Sequence, residues 1–178
     1  MTFRQRAIGA ARLEVPVFEE IEADRHATGQ ALVIVIVSSF AAGIGLTASV
    51  YDAPVLARVI LALLLWVFWA ASTYAIGVYL MPEPQTQTDI GELLRTIGFA
   101  AAPGVFRIFG FVPGIGVTIY AVATVWMLIA WVIAIRQALD YKSTGRAVVV
   151  CIIAGLIGIA LTTVIGGALL MLAEEVVS

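Results

Sequence analysis

Apolar residues fill this chain in five long runs, parted by short stretches where charged, polar, proline and glycine residues gather. The runs cover residues 31–50, 55–81, 90–111, 115–135 and 147–173. At about 1.5 Å per residue, a helix of some twenty residues crosses a hydrocarbon core of about 30 Å. The pattern therefore predicts an all-α, polytopic integral membrane protein. A cytosolic or interfacial segment over 1–27 precedes a transmembrane domain over 28–178, with five transmembrane helices and a kinked or partly re-entrant third segment.

Prolines and glycines mark the interruptions. Tyr51-Asp52-Ala53-Pro54 turns the chain between the first two runs, and Arg58 follows where its aliphatic stem can snorkel to the headgroups. Pro82-Glu83-Pro84 ends the second run, because proline lacks the N–H that a helix needs. Asp89 then stands as an N-cap with Glu92 three residues on, the pattern of a capping box. Ile90, Leu93, Leu94 and Ile97 follow at helical spacing, with Glu92, Arg95 and Thr96 on the other side. The third segment thus enters as an amphipathic helix and turns apolar at Phe99-Ala100-Ala101-Ala102. Pro103-Gly104 interrupts it, and Arg107 with Phe109-Gly110-Phe111 closes it.

Gly98 and Ala102 stand four apart, a small-residue face that permits close helix approach. Pro103 denies the carbonyl of Phe99 its usual donor, which then needs another partner inside the protein. Gly110-Phe111-Val112-Pro113-Gly114-Ile115-Gly116 reads as a tight reversal into the fourth run. The fifth run is rich in small residues, including Ala154, Gly155, Gly158, Ala160, Gly166, Gly167 and Ala168, and ends at Glu174 and Glu175. Candidate helix-packing or partner contacts are therefore Arg95, Gly98, Pro103, Gly110, Gly114, Gly155 and Gly158.

The first 27 residues carry Arg4, Arg6 and Arg12, but no continuous apolar core before Glu14, Glu19, Glu20, Glu22 and Asp24. That is not a signal peptide, so the first span is expected to act as the insertion signal. After Pro16, the residues Val17, Phe18 and Ile21 share one helical face. A short helix at the headgroup boundary and a solvated elbow both fit.

Composition excludes a soluble domain. Hydrophobic residues make up 62% of the 178 and charged residues 12%, against about 45–50% and about 25% in globular domains. A net charge of −2 with no basic stripe argues against nucleic acid as a partner. The single cysteine, Cys151, sits in an apolar run and reads as an inert buried thiol. There is no Asn, hence no site for N-glycosylation.

No run has Asp, Glu, Lys or His near its centre, where an ionisable group usually signals function. His26 lies in the polar elbow and reads as a solvated surface residue. G-x-S-x-G, H-E-x-x-H, P-loop and C-x-x-C patterns are all missing. No catalytic, cofactor-binding or metal-binding residue is predicted, and the chain is expected not to be an enzyme.

With five crossings, one side of the membrane holds Arg4, Arg6, Arg12, Arg25, Arg95, Arg136, Lys142 and Arg146, and the other keeps Arg58 and Arg107. The positive-inside rule then puts the N-terminus in the cytoplasm and the C-terminus outside, in the cell membrane. Four crossings would split the basic residues more evenly.

The order of parts resembles the Yip-one (Ypt-interacting protein one) family, particularly its short bacterial branch. The resemblance rests on Phe18-Glu19-Glu20-Ile21 leading through Ala23-Asp24 to Gly29-Gln30-Ala31, and on Arg95-x-x-Gly98-Phe99-x-x-x-Pro103. Pro113-Gly114-x-Gly116 and Gly145-Arg146-Ala147 before the last span continue it. It implies a five-span bundle with a cytoplasmic N-terminus. Eukaryotic members are implicated in vesicle trafficking with small GTPases, but their Asp-Leu-Tyr-Gly-Pro motif is missing here, as is their extended N-terminal region, so GTPase binding does not follow. The expected function is non-enzymatic and works by helix–helix association, with membrane lipids, other membrane proteins or further copies of the chain as partners. A scaffold, a membrane-organising protein or an accessory subunit fits that reading. The alternative is passive transport of lipid or a small solute through the irregular third segment.

Overall fold

The computed structural model describes the backbone of residues 1–45 and 55–177, and the side chains of 1–45 and 60–164. The turn 51–54, the Arg58 side chain, and the side chains of Gly166, Gly167, Ala168, Glu174 and Glu175 lie outside the described residues. Two short helices, α1 (Phe3–Ala11) and α2 (Val15–Ala23), precede α3 (Ala27–Gly45) and α4 (Val55–Ala75). Next come α5 (Ile90–Ala100), α6 (Gly116–Ala138) and α7 (Thr144–Val177). A π turn over Ile76–Leu80 finishes α4, and a 3₁₀ helix over Ala102–Phe111 continues α5. No strand occurs among the described residues.

Five stretches are long and apolar enough to cross a membrane: Ala27–Gly45, Ile60–Leu80, Ile90–Phe111, Gly116–Ala138 and Thr144–Val164. The chain is an all-α, multi-pass membrane protein.

The third span forms the core of the bundle. Buried residues make up 56% of it, against 22–33% of the other four, because α3 and α6 flank its 3₁₀ part on both sides. It runs beside α3 over the whole length of that helix. Gly98 faces Ala31, Gly104 faces Ser38, and Gly110 faces Gly45. The segment therefore crosses as a single kinked span and does not double back. At Pro103 the chain changes from α to 3₁₀ winding without breaking. Ten residues is long for a 3₁₀ helix, whose bond geometry usually limits it to three or four. Glycines make it fit: a Cβ on Gly45 would strike the Arg107 carbonyl, and one on Gly116 would strike the Gly110 carbonyl. Main chain meets main chain at this node.

Local signals explain the element ends. Thr2 and Gln5 form a capping box on α1, and Asp89 with Glu92 forms another on α5. Pro16 lies in the first turn of α2, where a missing N–H costs nothing, and residues 15–23 are helical. Val17, Phe18 and Ile21 bury their shared face against α5 and α6.

The polar side of α5 does not face outward, for Arg95 and Thr96 are buried at 4% and 0% exposure while Ile90 is 43% exposed. The reason is α2, which packs over that side and supplies the Glu22 carbonyl as acceptor for Arg95 Nη2.

The loops at 81–89 and 139–143 are bound to each other on the side where α1 and α2 sit. Tyr141 Oη donates to the Met81 carbonyl at 2.8 Å, Thr86 Oγ1 to the Leu139 carbonyl at 2.9 Å, and Arg146 pairs with Glu83 at 3.4 Å. Gln137 reaches Glu19 of α2 from the end of α6. The N-terminal cap and both of these loops therefore share one face of the membrane.

Candidate functional site

Arg107 is the residue that the sequence reading misplaced. Its place in the sequence puts it at the closing end of the third span. Instead its side chain turns inward along the 3₁₀ helix: Nε donates to the Gly104 carbonyl at 3.1 Å, and Nη2 to the Ser38 hydroxyl at 2.9 Å and the Ser38 carbonyl at 3.2 Å. Ser38 lies past the midpoint of α3 and is itself buried. The guanidinium also stands 5.8 Å from the centroid of the Tyr120 ring. Gly104 permits this fold-back, since a Cβ there would strike Ser38 Oγ and come within 2.9 Å of Arg107 Nη2. Among the described residues no carboxylate pairs with Arg107.

Arg107 opens on a cavity of about 360 Å³ bounded by α3, α4, α6, α7 and the third span. Its wall is mostly apolar, with Val35, Leu65, Phe68, Ile97 and Met127 among its members. Trp66, Trp69 and Trp131 also line it, and the indole N–H of each is buried without an acceptor. Ile159, 65% exposed, brings the cavity to the lipid-facing surface. Nothing around Arg107 pairs a nucleophile with a base, and no cluster of His, Cys, Asp and Glu could hold a metal among the described residues. The site can hold an acceptor-rich group.

A second polar centre locks the cap. Arg6, only 3% exposed, places Nε and Nη2 on the two carboxylate oxygens of Glu20, at 2.8 and 2.7 Å. Its Nη2 also reaches Asp24, and Nη1 reaches Gln30 Oε1 at 2.9 Å, so one guanidinium ties α1 to α2 and α3. Arg6, with help from the N-terminal ammonium, holds the Glu20 carboxyl down at about 2. Glu22 goes the other way, to about 7, because burial disfavours its charged form and Glu92 and Asp140 add repulsion. Deeper in, the indole of Trp126, near the middle of α6, donates to the Ala11 carbonyl at 2.8 Å and stacks on Phe106. The end of α1 is thus sunk well into the bundle.

The sequence-derived candidates are distributed among these features. Arg95 is buried under α2, with its Nε lacking a partner. Gly98 faces Ala31 and the Trp66 indole, and Pro103 is fully buried at the α-to-3₁₀ switch. Gly110 belongs to the glycine node, and Gly114 takes φ +83° in the turn before α6, a conformation that glycine adopts freely. Gly155 and Gly158 both pack on Trp69 of α4, within the chain. Only Gly155 and Gly158 line the cavity with Arg107. Ser38, Arg107 and Arg6 were not singled out; an arginine with no acid nearby in an apolar run is the signal that marks the second of them.

Fold and site together define a polytopic helical membrane protein that holds Arg107 inside its bundle with no carboxylate partner among the described residues. No protein-family model matches the chain, and neither a curated protein nor a solved structure shows significant similarity to it.

Proposed function

We propose that this chain is a non-enzymatic protein of the cell membrane that works by lateral association within the bilayer, as a scaffold, a membrane-organising protein or an accessory subunit. The observation that carries the reading is where its polar groups go. Arg6, Arg95, Gln85, Thr86, Tyr141 and Arg146 are all engaged in joining the chain's own helices and loops. What the bundle offers outward is apolar, such as Val117, Val122 and Val125 on α6 and Ile152, Leu156 and Ile159 on α7. Such a surface meets lipid or another transmembrane helix.

In this reading the capped face is cytoplasmic, since it bears most of the cationic residues. The same orientation is what the Yip-one resemblance implies, and we retain membership of that family as part of the proposal. Passive transport is the second reading, favoured by the cavity at Arg107. Its wall, with one cation among apolar side chains, suits holding a ligand better than conducting one.

Gentle solubilisation of native membranes followed by affinity capture tests association. The expected result is a stoichiometric membrane partner or a homo-oligomer. Recovery of a lone monomer, together with solute or lipid flux in reconstituted vesicles, would overturn the proposal in favour of transport.

A further inference from the structure

A charged side chain inside the hydrocarbon region costs at least a few kcal/mol, and such groups face one another, backbone carbonyls or a polar cavity. Arg107 satisfies part of its demand locally. Three of its five N–H groups belong to Nε and Nη2, which reach the Gly104 carbonyl, the Ser38 carbonyl and the Ser38 hydroxyl. The two on Nη1 donate to no carbonyl or carboxylate among the described residues, the Tyr120 hydroxyl lies close to the guanidinium, and the charge has no counter-charge there.

The rest of the wall is mostly apolar. The three indole N–H groups are buried in the packing and do not open on the cavity, and the Ser39 and Thr162 hydroxyls donate to the Val35 and Gly158 carbonyls of their own helices. The Arg107 guanidinium is the charged group on the cavity wall. The complement is a small anionic group rich in acceptor oxygens, attached to something apolar.

We propose that the cavity beside Arg107 binds one long-chain fatty-acid anion, with its carboxylate on the guanidinium and its alkyl chain along the apolar wall. A carboxylate oxygen can accept from the free Nη1, and the group neutralises one positive charge with one negative. Liquid packing allots about 30 Å³ to a water-sized group, so the 360 Å³ available encloses the headgroup and the first stretch of a single chain. The remainder of the chain leaves past Ile159 into the bilayer. A diacyl phospholipid would bring a glycerol and a second chain to the same space. This site stands whether or not the chain also acts as a scaffold.

Tryptophan quenching reads the binding directly, because three of the four tryptophans line the cavity. The full chain, in nanodiscs of zwitterionic phospholipid, is titrated with 9,10-dibromostearate, its methyl ester, and a dibrominated phosphatidylglycerol. The free acid is expected to quench saturably, with an apparent affinity at least tenfold above that of the ester, and the phospholipid is expected to quench without saturating. Arg107→Gln should erase the preference for acid over ester, and Arg107→Lys should keep most of it. Equal quenching of the wild type by acid and ester overturns the proposal without recourse to any variant, so a poorly folding Arg107→Gln does not weaken the test. An Arg107→Gln protein that folds and keeps wild-type acid binding also overturns it. Saturable quenching by the phospholipid, as tight as by the acid, would reassign the site to a diacyl headgroup and sink the fatty-acid assignment.

Discussion

Replacing Gly110 by alanine is a direct probe of the glycine node. The added Cβ would lie 2.6 Å from the Gly45 carbonyl oxygen and 2.9 Å from its carbon. Both atoms are main chain, so no rotamer change can make room. Ordinary contact begins near 3.4 Å, so α3 and the third span must separate by about 0.8 Å at this crossing. A gap of that size forfeits about a quarter to a half of the dispersion well for each atom pair across it, at about 0.1–0.2 kcal/mol per pair. For some tens of pairs, with a contribution from bent backbone, the loss comes to about 2 kcal/mol, within the usual range for overpacking. A thermal melt in mild detergent, followed by tryptophan emission, should show a midpoint lower by several degrees. Gly29→Ala serves as the control, since a Cβ there meets nothing within 4 Å and alanine favours the helix. If Gly110→Ala melts with Gly29→Ala and the wild type, main-chain contact at the node is not what holds these two spans together.

Arg6→Met should loosen the cap by about 2 kcal/mol, less than the cost for a fully buried pair because Glu20 and Asp24 keep about 30% exposure. Limited proteolysis at the α1–α2 turn should accelerate, and unchanged protection would refute the role given to Arg6. Glu22 has its folded-state pKa raised from 4.5 to about 7, so the folded protein holds that proton more tightly, and the stability gained below about pH 4.5 is lost as pH rises through 7. Glu22→Gln is therefore expected to stabilise the protein at pH 8 by about 1 kcal/mol, allowing for solvent screening of a half-buried group, and to do little at pH 5. A benefit independent of pH would contradict this. A reporter near Gln85 should register cytoplasm, and one after Ser178 should be active only if it works outside the cell. A cytoplasmic C-terminus would sink the five-span topology.

Hydrophobic periodicity gave the five spans and the α5 capping box, because both depend on neighbours in sequence. Lipid is a uniform solvent, so a long apolar run has one main way to satisfy its backbone. The errors arose where a distant element supplied the partner. Arg95 reads as an outward residue on an amphipathic helix until α2, 73 residues earlier, covers it. Arg107 reads as a surface anchor because nothing local shows Ser38, 69 residues away, waiting across the interface. Arg6 shows the same limit. Its partners Glu20, Asp24 and Gln30 lie on α2, just past its end, and on α3, at separations that carry no periodic signature. The winding change at Pro103 was half legible, since proline announces an interruption but not that the chain continues as 3₁₀ turns.

The sunken end of α1 has a consequence for how the protein is made. Its Ala11 carbonyl is matched to a tryptophan 115 residues later, on a helix that does not exist when α1 leaves the ribosome. Ribosomes add about 5–20 residues per second, so the end of α1 waits roughly 6–23 s before its seat is synthesised. Through that interval the Arg6 network can join α1, α2 and the start of α3, while the apolar face of α2 has no α5 or α6 to rest on. The residues of α1 are therefore translated well before the helix on which they come to rest. Seating of the cap reports that the third and fourth spans have been threaded, and a chain stalled or cut before Trp126 keeps that face open to whatever quality-control factor binds exposed apolar helices.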